Sequence, residues 1–313
     1  GYRVAVLSKG YRSAHLRGAG KPRLVLCNDS SDEVGDEPLM LARALAAIEP
    51  TTPVVIGKQR NEGLAYLMQG AALAAERPID VVLSDDGLQH YALPRDLEYV
   101  VIDGQRGFGN RCLLPAGPLR EPVARLALAD RIVINGAGEQ AQDIAQACPV
   151  PRDNCASMQV SASTARLLGT TSEAGHDAPA SSACGAQPLA SLLAGLDTVI
   201  AITGTGNPAR FFASITQNLG QANLVTAAFA DHHVFVAADF TRVAKQHRLD
   251  ASPGRIAFLV TEKDAVKCGA FASQVSLPVY VVGIEVELSS NALQPVLDAC
   301  VQLQAWRTAS ASA

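Results

Sequence analysis

Val81-Val82-Leu83-Ser84-Asp85-Asp86-Gly87-Leu88-Gln89-His90 is an apolar run that stops abruptly in two carboxylates, a glycine, an amide and an imidazole. The continuous run reads as a buried strand, which delivers Asp85 and Asp86 at its C-terminal end. In open α/β sheets that end of the strands is where ligands bind. Two carboxylates there suit a metal–phosphate site; an acidic turn after a strand is the plain alternative.

Similar strands occur on both sides of this one. Val4–Leu7 is continuous and apolar, as buried parallel strands are, and it runs into Ser8-Lys9-Gly10-Tyr11-Arg12, either a phosphate-holding turn or a basic surface turn. Short strands are expected at 23–27 and 53–57, and further strands at 97–102 and 131–135. Helices are expected at 39–48 and 62–76, the first opened by Asp36, Glu37 and Pro38. Carboxylates favour a helix N-terminus and Pro fits the first turn, so Asp36 and Glu37 are explained by capping unless one of them faces a site. The stretch 103–122 is a long irregular loop with Arg106, Asn110, Arg111, Arg120 and Glu121. Loops of this kind inside compact domains are usually functional or disordered, and a ligand-binding loop is favoured.

After residue 150 the organisation changes. The stretch 169–187 is rich in Gly, Thr, Ser and Ala and reads as an insertion; no chemistry is assigned to its His176. A second α/β unit begins at 198–202, where the strand ends in Thr203-Gly204-Thr205-Gly206-Asn207-Pro208. A strand at 224–229 leads to Asp231-His232-His233. Neighbouring residues on an extended chain point to opposite faces, so one His is expected at the site and the other in a structural role. A strand at 256–260 precedes Thr261-Glu262-Lys263-Asp264-Ala265-Val266-Lys267, with Thr261 as helix cap and the charges as a plain helix start. A last strand at 279–282 and a closing helix at 293–306 complete the chain. Strand–helix alternation of this kind indicates a doubly wound α/β protein.

The bulk properties narrow the function. The 313 residues are 48% hydrophobic and 18% charged, ordinary for a globular chain with a sizeable core. A net charge of −4 argues against nucleic acid, whose binders are basic. Seven scattered Cys with no CxxC pair read as reduced thiols, neither a disulfide framework nor a zinc site. No apolar run reaches the roughly 18 residues of a membrane span, and no signal peptide is visible. The sequence opens without Met, directly into a strand, which suggests that the start of a longer protein precedes it. Gly18-Ala19-Gly20-Lys21-Pro22 does not satisfy Gly-x-x-x-x-Gly-Lys-Ser/Thr, because His15 stands at the first Gly and Pro22 at the Ser/Thr.

Seven words in one order closely resemble the tetraacyldisaccharide 4′-kinase family of bacterial lipid A synthesis: 34–38, 84–90, 103–110, 113–122, 206–212, 231–233 and 261–267. The resemblance runs from residue 1 to about 285. It implies a P-loop-kinase-like α/β/α core with a second, smaller α/β lid domain, expected here at 1–150 and 151–307, the closing helix being a candidate to return to the core. It implies transfer of the γ-phosphoryl of ATP, with Mg²⁺, to the 4′-hydroxyl of tetraacyldisaccharide 1-phosphate at the cytoplasmic face of the inner membrane. The expected protein is a monomer in peripheral contact with that membrane.

By resemblance and position, Asp36 accepts the hydroxyl proton and His232 orients it, with His233 as the reserve assignment. An ordinary Asp, with a pKa of about 3.9, is a weak base for an alcohol, which a loose transition state tolerates. Asp85 and Asp86 take the Walker B part at the nucleotide, Glu37 and Asp86 being the metal candidates. His90, Arg120 and Glu121 contact the sugar or its 1-phosphate. The family's Walker A loop lies before the segment matching Gly1, so these residues alone are expected to have little or no kinase activity. Two other readings are a non-catalytic glycolipid-binding remnant and a metal-dependent hydrolase using Asp85, Asp86 and the two His.

Overall fold

The computed structural model describes residues 1–18, 20–69, 78–136, 139–169, 185–249 and 255–311. In chain order the elements begin with β1 (Val4–Ser8), α1 (Ala14–Arg17), β2 (Arg23–Leu24), α2 (Ser31–Val34), α3 (Asp36–Ile48), β3 (Val54–Ile56), α4 (Arg60–Met68) and β4 (Val81–Ser84). They continue with β5 (Tyr99–Asp103), β6 (Arg131–Asn135), α5 (Glu139–Ala147), β7 (Cys155–Leu167), β8 (Gln187–Pro188), α6 (Leu189–Ala194), β9 (Thr198–Thr203), α7 (Pro208–Thr216) and β10 (Asn223–Ala228). The last are α8 (Ala237–Gln246), β11 (Ile256–Thr261), α9 (Glu262–Cys268), β12 (Val279–Leu288) and α10 (Gln294–Ala311). The expected helix at 62–76 is seen as far as Met68; its remainder and His176 lie outside the described residues.

The chain forms two compact units: residues 1–93 with 162–284, and residues 94–161 with 285–313. Two long strands, β7 and β12, each start in one unit and end in the other.

The first unit contains two sheets. One has the order β2-β3-β1-β4, with β1 parallel to both β3 and β4 and the short β2 antiparallel. The other includes the parallel run β10-β9-β11-β12. Strands β9 and β11 are buried almost end to end, as the unbroken apolar runs at 198–202 and 256–260 require of strands covered on both faces. Phe235, Phe240, Val243 and Ala265 cover one face of this sheet; Leu189, Leu193 and Ile215 cover the other. A separate core of Val6, Val34, Leu39, Val54 and Ile56 fixes α3 on the first sheet, with Val266 of α9 packed against it.

The second unit includes β5 parallel to β6 and β6 parallel to the start of β7. Its core gathers Ile102, Leu126, Ile132, Ile134 and Ile144. The Tyr99 hydroxyl donates to the Ala292 carbonyl at 2.9 Å, tying the segment before α10 to this sheet.

Candidate functional site

The site is assembled in the first unit by turns at the carboxyl ends of its strands. Helix α3 starts at Gly35, whose φ of +96° belongs to glycine. A Cβ there would stand 3.2 Å from the Tyr11 carbonyl, so this glycine also lets the helix start lie against the turn after β1. Asp36 follows, 7% exposed, and its Oδ1 accepts the Glu37 amide at 3.0 Å. Its Oδ2 stands 2.9 Å from His232 Nδ1 and 3.6 Å from Lys267 Nζ.

His232 reaches Asp36 because the backbone turns sharply after β10. Its φ is +60°, a left-handed conformation that His adopts more readily than most residues. The two neighbouring imidazoles consequently part company. His233 Nε2 meets Asp239 Oδ2 at 3.0 Å, and its ring packs between Phe229 and Phe235. His232 instead faces Tyr11, with ring centroids 5.2 Å apart.

Burial works to raise the Asp36 carboxyl's pKa. It is outweighed by the hydrogen bond from His232 and by the charges of Lys263, His232 and Lys267, so the group lies below the ordinary Asp value. Lys263 Nζ binds Glu37 Oε1 at 2.7 Å. Its own desolvation is outweighed by Glu37, Asp36 and Asp231, and its pKa is raised. Lys267 Nζ lies 2.9 Å from Oδ1 of Asp264, a residue with no exposed surface.

At the end of β4, Asp85 is pushed up by burial and by the carboxylates of Glu37 and Asp86, against the Ser8 hydrogen bond and the Arg60 charge. The Ser8 hydroxyl donates to Asp85 Oδ2 at 3.1 Å. Arg60, 2% exposed, donates to the Asp85 carbonyl at 2.7 Å and to the Gly57 carbonyl at 3.2 Å. Asp86 is left-handed, with φ +46°. Beside these acids the Ser84 hydroxyl is buried without a hydrogen-bond partner among the described residues. Glu37 and Asp86 thus both act on the Asp85 carboxylate, and carboxylate oxygens are the ligand type that a hard divalent cation takes. No group of three or more His, Cys, Asp or Glu placed to hold a metal ion occurs among the described residues.

Asp36, Glu37 and His232 are therefore brought together, with Asp85 close enough to Glu37 to be charge-coupled to it. His90 sits in the turn after β4, its amide bonded to the Gly87 carbonyl at 3.0 Å. Arg120 and Glu121 belong to the second unit, where Glu121 pairs with Arg125 at 3.3 Å. Four residues at the site escaped sequence reasoning: Arg60, Lys263, Asp264 and Lys267. The first stood at the end of a strand beside Lys58, and the others inside a charged helix start. The one available signal was the i, i+3 spacing of Asp264 and Lys267.

Fold and site together define an α/β protein with a carboxylate–imidazole pair and an acidic strand end in one unit. Comparison with known proteins agrees. The family model described as tetraacyldisaccharide-1-P 4′-kinase (LpxK) matches residues 1–302. The chain is 36% identical over 273 residues to the tetraacyldisaccharide 4′-kinase of Hamiltonella defensa, covering 87% of this chain and 67% of that one. The corresponding protein of Legionella pneumophila strain Corby is 34% identical over 294 residues, covering 93% and 72%. A crystal structure of LpxK from Aquifex aeolicus in complex with ATP superposes with a TM-score of 0.61 at 23% identity, covering 96% of this chain and 79% of that one. The chain belongs to the tetraacyldisaccharide-1-P 4′-kinase family. It has the family's P-loop-kinase fold and spans about two thirds of the length of these curated relatives. Among the described residues no helix is long and apolar enough to cross a membrane.

Proposed function

We propose that this site deprotonates the 4′-hydroxyl of tetraacyldisaccharide 1-phosphate while the γ-phosphoryl of ATP moves onto it. The observation that carries the reading is the 2.9 Å pair of Asp36 and His232 at the start of α3, in the same unit as the acidic end of β4. Asp36 takes the proton as the O–H bond breaks; the sugar oxygen forms its bond to the γ-phosphorus, and ADP leaves with the former bridging oxygen. A carboxylate held below its ordinary pKa is a weak base, which a loose, late-deprotonating transition state accepts. Ionised Asp36 accepts from His232 Nδ1–H, so the imidazole fixes the carboxylate's direction. Asp85, Asp86 and Glu37 would hold Mg²⁺ directly or through its waters. Bound there, Mg²⁺ supplies positive charge against the phosphate oxygens. In the first unit, His90 is proposed to contact the sugar or its 1-phosphate.

These 313 residues contain no Gly-x-x-x-x-Gly-Lys-Ser/Thr, and positioning of the phosphates is most of what such kinases do. Transfer by these residues alone is proposed to be very slow and to require a phosphate-gripping loop from further sequence. The enzyme is proposed to act as a monomer, peripherally at the inner-membrane face where its glycolipid acceptor lies.

The test is transfer of label from γ-labelled ATP to tetraacyldisaccharide 1-phosphate by this chain joined to a family Walker A segment. His232→Ala should lower kcat roughly 100-fold, the scale of acid–base assistance, and His233→Ala should spare it. The reverse order would reassign the pair. Glycolipid binding without any transfer would favour the remnant reading.

A further inference from the structure

One buried carboxylate reaches both halves of the Asp36–His232 pair. Asp264 lies in the first turn of α9 with no exposed surface. Its Oδ2 accepts the hydroxyls of Thr203 and Thr261, each at 2.8 Å, and the Gly204 amide at 3.2 Å. The Gly204 carbonyl in turn accepts the His232 amide at 3.0 Å. One peptide step therefore separates Asp264 from the backbone carrying the imidazole. Asp264 Oδ1 forms an ion pair with Lys267 Nζ at 2.9 Å, without hydrogen-bond geometry, and the same Nζ lies 3.6 Å from Asp36 Oδ2. The Lys267 side chain is only 7% exposed, so its ammonium has little water to turn to.

We propose that Asp264 and Lys267 are the positioning pair of this site, fixing the His232 backbone through Gly204 and the Asp36 carboxylate through the Lys267 ammonium. The proposal rests on the reading of Asp36 as base. Neither residue touches substrate; both act through the pair they hold. The geometry uses both oxygens of Asp264 for different ends of one hydrogen bond. A residue serving only to cap α9 would need neither Lys267 nor Gly204. Lys267 also places a positive group near Asp36 Oδ2, so the carboxylate is approached by His232 and by an ammonium.

The experiment reads the Nδ1 proton of His232 by ¹⁵N-histidine NMR in the 313-residue chain, assigned by its loss in His232→Gln. The unsubstituted chain should show a slowly exchanging low-field proton. In Lys267→Met and Asp264→Asn its exchange should quicken at least tenfold, while Lys267→Arg should retain it. In the enzyme carrying a Walker A segment, Lys267→Met should lose at least tenfold in kcat with both KM values within twofold, and Lys267→Arg should recover most of that loss. Should Asp264→Asn fail to fold, Lys267→Met and Lys267→Arg decide alone. An unchanged proton in Lys267→Met, or a loss confined to thermal stability with kcat kept, overturns the proposal. Were the unsubstituted enzyme inactive on the glycolipid, the functional reading would fall, and the proton's response would still decide the positioning pair.

Discussion

Asp36 and Asp85 stand in one unit with their pKa values moved in opposite directions, and the signs of two pH effects follow. Asp36 is held below the ordinary Asp value despite its burial, as is Asp239, whose burial is outweighed by His233, the Val236 amide and Arg242. Both contribute stability that is whole above the unfolded pKa of about 3.9 and is lost as pH falls through their folded values. Asp85 is raised by burial and by Glu37 and Asp86, so its ionised form destabilises the fold and acidification relieves it. Asp85→Asn should therefore raise Tm at neutral pH by about 1–2 °C, the response to ~1 kcal/mol in a chain of 313 residues. That gain should vanish near pH 3, where Asp85 is already protonated. A lower Tm at neutral pH would show that the Ser8 and Arg60 partners outweigh the repulsion. Asp36 and His232 were legible in the sequence because each stands at a strand or helix end in a recognisable word. Lys267 and Asp264 also stand in such a word, at 261–267, but carried no assigned role, because a Lys and an Asp in a helix's first turns read as a solvated face. Their burial is set by α9 packing on α3 and β9, which no local pattern records.

At the scale of elements, α9 does more than cover a sheet. Thr261 is its N-cap, accepting the Asp264 amide at 3.1 Å while donating its hydroxyl to Asp264 Oδ2. The cap was readable from sequence; its attachment to the site was not. Thr261→Ala should cost about 1 kcal/mol or somewhat more in chemical denaturation, the usual price of a lost cap. A variant as stable as the parent would mean that the Thr203 hydroxyl and the Gly204 amide suffice to hold Asp264. Strand β7 shows why element boundaries blur. Burial alternates from Ala156 to Ala162, but those alanines and the intervening serines give that alternation little hydrophobic contrast, and no strand is read there from sequence. The runs at 131–135 and 198–202 are rich in Ile and Val and predict their strands almost to the residue.

For the whole molecule, the α/β class followed from alternation of apolar runs with helices. Units interrupted in sequence arise when long strands are shared, and strand length was underestimated at β12, expected at 279–282 and found at Val279–Leu288. Asp36 and Glu37 come from a segment that starts 196 residues before His232 and farther still before Lys263 and Lys267, and all five belong to the first unit. The measurement that bears most directly on the proposed chemistry is steady-state phosphoryl transfer by Asp36→Asn, in the enzyme carrying this chain with a family Walker A segment. The isosteric amide keeps the shape and removes the base. The expected result is a fall in kcat of at least 100-fold, the scale of a lost acid–base group, with KM for ATP and for the glycolipid changed less than threefold. A near-normal kcat would contradict the assignment of Asp36 as the proton acceptor.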